Sequence, residues 1–296
     1  MRPPLQRLGR LCHPVARAWT GLRGPAGLTV LCWHRIDDAP GPLSCTPAEL
    51  SAAFDALEAW GAVVLPLAEA WERVRTGTLP ARSVALTFDD GYASTLTAAW
   101  PLLQARGWPA TSFVVPGYLT GDRAFPWDSA AGHPARLMTA EQVQALARDG
   151  MDVGSHTMTH RWLPRLDDDA LHEELVGSRR LLEELLDRPV PSLAYPAGHH
   201  DPRVRRAVRQ AGYAVAYSTA RGRSSARTGA LEVRRTVVPR EPEDLLRVLD
   251  GAYALLRPVD AVRERRLLRD PVAHPDPSAG VPAQPDLPPH EPPARP

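Results

Sequence analysis

Two adjacent carboxylates, Asp89 and Asp90, follow an apolar run and precede a glycine, Gly91. The run, Val84–Phe88, is almost continuously apolar, as expected for a strand that is buried on both faces. Neighbouring residues at a strand end point in different directions, so one carboxylate could bind a metal ion while the other faces a reacting water. Asp-Asp-Gly is also a common turn sequence. By itself this motif is compatible with two interpretations, a catalytic site and a simple turn.

Two histidines, His156 and His160, are spaced four residues apart just after a second predicted strand, Met151–Gly154. On one helical turn, positions i and i+4 share a face, so both imidazoles could bind one ion. No glutamate follows His156, which excludes the zincin pattern in which that glutamate is the general base. The base must therefore come from elsewhere, and Asp89 is the available candidate.

A third strand-to-turn motif consists of Tyr195, Pro196, Ala197 and Gly198. A turn of this kind can direct a backbone N–H group at a developing oxyanion. The motif is weak on its own, and we assign it only to the oxyanion and substrate-binding side of a site.

Strand-like and helix-like segments alternate along the chain, which predicts right-handed βαβ units around a parallel sheet. About seven such units fit a closed or nearly closed (β/α) barrel, although a doubly wound open sheet is the alternative. The predicted segments are Leu28–Trp33, Ala48–Trp60, Ala62–Leu67, Ala68–Val74, Val84–Phe88, Ser94–Arg106, Thr111–Val115, Ala140–Arg148, Met151–Gly154, Asp168–Leu186, Ser192–Tyr195, Pro202–Ala211, Ala214–Ser218 and Pro242–Leu256.

The two ends of the chain differ from this pattern. Residues 1–27 predict a flexible extension, although Leu5 to Leu22 could form a basic amphipathic segment that touches anionic lipid. Residues 28–256 predict the catalytic domain, and residues 257–296 predict a helix remnant followed by a disordered, proline-rich tail. No signal peptide or membrane-spanning run of roughly 18 apolar residues is evident. We therefore expect a cytoplasmic or peripherally membrane-associated protein.

Overall composition argues against one class of partner. The formal net charge is only +1, which gives no electrostatic case for binding nucleic acid. The three cysteines, Cys12, Cys32 and Cys45, are too few and too irregularly spaced to predict a disulfide framework.

The order of the three motifs, Thr87 to Gly91, Ser155 to His160 and Tyr195 to Gly198, resembles the polysaccharide deacetylase (NodB-homology) family of carbohydrate esterases. The similarity runs from about Leu28 to about Leu256. It implies a distorted (β/α) barrel with fewer than eight regular units, a divalent metal ion that is commonly zinc, and an N-acetylated glycan or glycoconjugate as substrate.

The resemblance also implies roles for individual residues. Asp90, His156 and His160 match the metal ligands, and Asp89 matches the general base. The backbone amide of Ala197 matches a group that helps to bind the oxyanion. Cobalt, nickel or iron would also suit such a ligand set.

The sequence departs from the family pattern at three places. The aromatic residue that usually follows the proline of the third motif is Ala197 here. Where the third motif often has an arginine that steadies the base, this chain has Ala194, and Arg235 is a candidate replacement. No C-terminal Leu-x-His motif supplies the acid. Instead, Trp33-His34 resembles the early aromatic-His motif of a bacterial subgroup, so His34 is the candidate acid beside Asp89.

These residues predict metal-assisted removal of N-acetyl groups from an amino-sugar-containing glycan. Trp127 and Asp128, in the segment after Pro126, are expected to line the sugar groove, although simple burial would equally explain Trp127. Two alternatives stay open. One is a metal-dependent amidase that acts on a non-sugar acyl amide, and the other is a catalytically silent glycan-binding protein.

Overall fold

The computed structural model describes residues 27–41, 43–120 and 124–252. The strands within these residues, in chain order, are β1 (Thr29–Trp33), β2 (Arg35–Ile36), β3 (Ser44–Cys45), β4 (Val63–Val64), β5 (Ser83–Phe88), β6 (Thr111–Val114), β7 (Asp152–Ser155), β8 (Ser192–Ala194), β9 (Val215–Ser218), β10 (Val233–Arg234) and β11 (Thr236–Val237).

Helices connect most of these strands. They are α1 (Pro47–Trp60), α2 (Leu67–Thr76), α3 (Trp100–Gln104), α4 (Pro126–Ala130), α5 (Ala140–Arg148), α6 (Asp168–His172), α7 (Ser178–Leu186), α8 (Pro202–Gln210) and α9 (Pro242–Leu249). Local sequence explains where several of them begin. Helix α1, for example, starts at a capping box in which Thr46 and Glu49 each accept a hydrogen bond from the other's backbone N–H.

The main sheet is parallel and nearly closes on itself. Its strands follow the order β10-β9-β8-β7-β6-β5-β1-β11, with β4 beside β5. Strands β10 and β11 are separated by one residue, Arg235, so residues 233–237 pair first with β9 and then with β1 at the opposite end of the sheet. This closure confirms the predicted distorted (β/α) barrel and excludes the open doubly wound sheet.

The strands are buried on both faces, as their continuous apolar sequences predict. All five residues of β1 and all six of β5 are buried. Thr87 is accommodated in β5 because its hydroxyl donates a hydrogen bond to the carbonyl of Leu31. The ring of Trp33 in β1 stacks on that of Phe88 in β5 and meets the ring of Phe54 in α1 edge-on. These contacts pack α1 against β1 and β5.

Some predicted elements were wrong in detail. The predicted helical turn at His156 is a loop without helical structure. The predicted strand Ala62–Leu67 shortens to β4. Two predicted helices contain π-helical turns, Thr95–Ala99 before α3 and Glu173–Gly177 between α6 and α7. In the first of these predicted helices, Ser94–Arg106, Pro101 follows the π-helical turn and has no backbone N–H to donate, which disfavours regular α-helical hydrogen bonding.

The predictions for the chain termini fall on residues 1–26 and 253–296, outside the described residues. Within the part of the chain that the structure describes, no helix combines the length and apolar character needed to cross a membrane.

Candidate metal centre and active site

The predicted site residues converge at one face of the barrel. Asp89 and Asp90 follow β5, His156 follows β7, and His34 follows β1. Because parallel strands end at the same face, these side chains are brought together although up to 121 residues of chain lie between them. Arg235 joins them from the break between β10 and β11.

Asp90, His156 and His160 form a compact cluster. Oδ1 of Asp90 lies 3.4 Å from Nε2 of His156 and 3.5 Å from Nε2 of His160. One potential ligand atom from each residue lies within 4.8 Å of the other two. Asp90 adopts a left-handed backbone conformation, with φ of 72°, which turns its side chain away from that of Asp89. Two imidazoles and a carboxylate are a common donor set for a catalytic metal ion.

The hydrogen bonds around this cluster leave atoms of His156 and Asp90 available to bind a metal ion. Nδ1 of His156 donates a hydrogen bond of 2.8 Å to the carbonyl of Ala194, which leaves Nε2 of a neutral ring as a bare electron pair facing the cluster. Among the described residues, the buried Oδ1 of Asp90 has no hydrogen-bond partner. Buried polar atoms normally have a partner, so this oxygen indicates room for a cation.

The electrostatics of the cluster agree with this assignment. Burial and the neighbouring His156 lower the pKa of His160 to about 4, so its ring is neutral and able to bind a metal ion. Burial opposes a charge on Asp90, but the two histidines outweigh burial and lower its pKa. Burial also opposes a charge on His156, but the nearby carboxylates of Asp89 and Asp90 favour a positive charge there and raise its pKa.

Asp89 faces a different partner. The buried guanidinium of Arg235 holds its carboxylate in a bidentate pair, with Nη1–Oδ1 of 2.6 Å and Nη2–Oδ2 of 2.7 Å. Burial acts to raise the pKa of Asp89, but Arg235, and then His156, outweigh it and hold that pKa well below its usual range. Oδ2 of Asp89 lies 3.8 Å from Nε2 of His156, so the carboxylate borders the metal cluster without belonging to it.

His34 is a second histidine near Asp89. Its Nε2 is 4.0 Å from Oδ2 of Asp89, and 11% of its side chain is exposed. Cys32, His34 and Asp89 are also close enough to form a second group of potential metal ligands. Burial, and then Asp89, raise the pKa of the Cys32 thiol, which disfavours the thiolate that a metal ion would need. Arg235 already neutralises the carboxylate of Asp89. This second group is therefore a poor cation site.

The turn after β8 lies against His156 through the carbonyl of Ala194. Pro196–Gly198 form a single 3₁₀ turn in which Ala197 is exposed and left-handed, with φ of 53°. Gly198 also has a positive φ, and a Cβ atom there would lie 2.1 Å from Oγ1 of Thr219. The side chain of Tyr195 is buried, and its hydroxyl donates to the carbonyl of Leu231. Tyr195 therefore supports the turn from the core.

Trp127 and Asp128 lie on the short helix α4, whose Trp127 ring is 5.0 Å from the ring of His160. The Trp127 indole stacks on Phe125, with the two ring centres 4.2 Å apart. Asp128 accepts a hydrogen bond of 2.9 Å from the Tyr92 hydroxyl. Burial raises the pKa of Asp128, so its environment disfavours the free carboxylate. The helix thus forms a wall beside the metal cluster.

A family model described as polysaccharide deacetylase matches residues 76–216, which contain both motifs of the cluster. YxkH of Bacillus subtilis (strain 168), named as a candidate polysaccharide deacetylase, is 27% identical over 222 residues, which are 75% of this chain and 75% of that protein. Residues 76–216 of this chain therefore match the polysaccharide deacetylase family.

One further relative and two solved structures are also similar to this chain. The poly-beta-1,6-N-acetyl-D-glucosamine N-deacetylase of Escherichia coli (strain K12) is 30% identical over 138 residues, 44% of this chain and 20% of that protein. The structure of IcaB from Ammonifex degensii superposes with a TM-score of 0.63 at 26% identity and covers 77% of this chain and 97% of that one. Streptococcus pyogenes deacetylase PplD has the same fold, with a TM-score of 0.67 at 24% identity, over 76% and 99% of the two chains.

Two residues near the cluster of Asp90, His156 and His160 were missed in the sequence analysis. Tyr92 and Arg35 both contact Asp128, Tyr92 by the hydrogen bond above and Arg35 across 3.4 Å. Each follows within four residues of the end of a buried strand, β5 or β1. Their position after strand ends is the signal that could have indicated them.

Proposed function

We propose that this chain is a metal-dependent hydrolase that removes N-acetyl groups from an amino-sugar-containing glycan. The observation that supports this proposal best is the pairing of two neighbouring carboxylates with separate partners. Asp90 faces His156 and His160, while Asp89 faces Arg235. Similarity to the polysaccharide deacetylase family supports the general chemistry, and this arrangement supports separate roles for the two carboxylates.

The ion would be held by Asp90, His156 and His160, and zinc is the metal that this donor set suits best, with cobalt, nickel and iron as alternatives. When bound, it would supply Lewis-acid chemistry by polarising the acetyl carbonyl and acidifying a water molecule. The hydrogen bond from His156 to Ala194 orients one ligand in advance, as is common for metal-binding histidines.

Asp89 acts as the general base in this proposal. Its carboxylate is ionised, borders the cluster and accepts a proton from the attacking water. Arg235 contributes in two ways, because it keeps Asp89 charged and fixes the plane of the carboxylate by a bidentate contact. Arg235 therefore takes the place of the arginine that Ala194 replaces in the third motif.

Two further groups complete the reaction. The exposed turn Pro196–Gly198, supported from below by Tyr195, presents the backbone amide of Ala197 as a donor to the developing oxyanion. His34, which lies beside Asp89, protonates the sugar nitrogen as it leaves.

The substrate side of the cleft is formed by Trp127 and Asp128. The indole provides an aromatic surface next to His160, and aromatic rings pack well against the apolar faces of pyranoses. Asp128 contributes a polar group that Tyr92 and Arg35 hold in place. One relative is named for its action on a polymer of N-acetylglucosamine, which supports an N-acetylated glycan as the substrate class.

Acetate release from N-acetylglucosamine oligomers, with and without a chelator, tests this function. The wild-type protein should release acetate, the chelator should abolish release, and added zinc should restore it. The Asp169→Asn variant serves as a control, because Asp169 is an exposed carboxylate away from the site. Hydrolysis of simple acyl amides with no release from the oligomers would favour the amidase, and oligomer binding without turnover would favour a silent glycan-binding protein.

A further inference from the structure

The loop that carries both metal-binding histidines adopts a demanding backbone conformation. Thr157 and His160 have φ angles of 66° and 62°, in the left-handed region that side chains disfavour. The energetic cost of a left-handed backbone conformation is greatest for a β-branched residue such as Thr157. Such conformations persist only where surrounding contacts hold them in place.

Several backbone contacts hold this loop. The N–H of His160 donates to Oγ1 of Thr157 at 3.1 Å, which closes the loop on itself. On its outer side, the N–H of Gly117 donates to the carbonyl of Met158 at 2.9 Å, and the N–H of Met158 donates to the carbonyl of Glu174 at 3.1 Å. The loop is therefore fixed between the segment after β6 and the π-helical turn Glu173–Gly177.

The side chain of Glu174 adds a second attachment at Thr159. One carboxylate oxygen accepts the backbone N–H of Thr159 at 2.9 Å, and the other accepts the Thr159 hydroxyl in a short hydrogen bond. Glu174 is only 4% exposed, and no cation pairs with it in the described parts of the chain. Burying an unpaired carboxylate is costly. Both of its oxygens are used on the residue that precedes His160.

We propose that Glu174 is a positioning residue that fixes His160 for metal binding through Thr159. The inference rests on the metal dependence proposed above, since it assigns Glu174 a role in that site. The two hydrogen bonds to Thr159 set the backbone immediately before His160 and so restrict where its imidazole can point. A π-helical turn, which is frequent at functional sites, brings Glu174 into this position.

Cobalt binding tests the proposal, because the absorption spectrum of Co²⁺ reports ligand geometry independently of catalysis. Metal-free wild type, Glu174→Ala, Glu174→Gln and Thr159→Val are titrated with Co²⁺. Glu174→Ala should bind about 10–100-fold more weakly, the range expected for groups that orient metal ligands, and its spectrum should change. Glu174→Gln should lose less Co²⁺ affinity than Glu174→Ala, because the neutral amide can still accept a hydrogen bond from the N–H of Thr159 and donate one to its hydroxyl. Thr159→Val keeps only the N–H contact and should also bind more weakly.

Glu173→Gln is the matched control, since Glu173 is the exposed neighbour in the same turn and should bind Co²⁺ like wild type. The melting temperature of each metal-free protein separates positioning from simple stabilisation. Wild-type affinity and spectrum in folded Glu174→Ala would overturn the proposal, even if its melting temperature fell. Should Glu174→Ala not fold, unchanged binding in both Glu174→Gln and Thr159→Val would overturn it instead. Failure of the wild-type protein itself to bind Co²⁺ would contradict the proposed function, and this inference with it.

Discussion

At the scale of single residues, Asp89 and Asp90 are neighbours in the chain with opposite surroundings. The left-handed conformation of Asp90 directs its carboxylate to the two histidines, while Asp89 stays in the bidentate contact with Arg235. A division of roles was predicted from the sequence because adjacent residues at a strand end diverge. Which partner each carboxylate meets depends on contacts between distant segments.

Substituting each carboxylate by its amide should separate the two roles. Asp89→Asn should bind one metal ion with near-normal affinity and lose roughly 10²–10⁴-fold in turnover, the contribution typical of a proton-transfer group. Asp90→Asn should bind the ion much more weakly, because a neutral amide replaces a charged ligand. Isothermal titration of the metal-free proteins with zinc measures the difference. Equal loss of zinc affinity in both variants would show that the roles are not divided in this way.

His34 is the candidate acid, and its role depends on the leaving group. His34→Ala should keep the metal and the fold but slow the hydrolysis of N-acetyl amides by roughly 10²–10⁴-fold. An activated acetyl ester should be affected much less, since its leaving group needs little protonation. Turnover of both substrates is compared with that of His172→Ala, a control at an exposed helical position. If His34→Ala slowed the two substrates equally, or neither of them, His34 would not be the acid.

At the scale of elements, the closing segment of the barrel shows where sequence reasoning stopped. Residues 233–237 contain two consecutive arginines and no continuous apolar run, so they did not predict a strand. The segment is recognisable as part of the sheet only through its pairing with β9 and β1. Arg235 was a candidate only as a replacement for the arginine that the resemblance leads us to expect at Ala194, and its contact with Asp89 depends on barrel closure.

The loop that carries His156 and His160 was predicted correctly in its spacing but not in its backbone path. The four-residue spacing of His156 and His160 predicted a shared ion, and the structure brings their Nε2 atoms to the same carboxylate oxygen. The predicted helical turn was wrong, because Thr157 and His160 are left-handed and the loop is held by contacts from Gly117 and Glu174. The four-residue spacing predicted that the two rings lie close together, which the structure shows, whereas the backbone path depends on tertiary contacts.

The buried pair formed by Asp89 and Arg235 should couple barrel closure to the active site. Arg235→Met leaves a buried carboxylate without a partner and should lower the free energy of unfolding by about 3–5 kcal/mol. Combining it with Asp89→Asn removes both charges, so the double variant should be more stable than the sum of the two single losses predicts. Chemical denaturation of the metal-free proteins measures this coupling. Strictly additive losses would mean that the two side chains do not stabilise each other.

At the scale of the whole molecule, the nearly closed parallel barrel explains why distant motifs form one site. The ends of β1, β5, β7 and β8 supply the candidate groups, and the closing segment supplies Arg235. The alternation of strands and helices predicted this architecture and the face on which the site lies. Trp127 and Asp128 of α4 were expected near the site, but the contacts of Asp128 with Arg35 and Tyr92 could not be predicted, because they join the side chains of separate connecting segments.

Zinc titration of the metal-free protein, followed by acetate release from N-acetylglucosamine oligomers, tests the central claim most directly. If Asp90, His156 and His160 hold one catalytic ion, activity should rise with added zinc and level off at about one equivalent per chain. A His156→Ala, His160→Ala double variant, treated in the same way, should remain inactive and bind little zinc. Full activity of the metal-free protein, or full zinc occupancy in the double variant, would contradict the account.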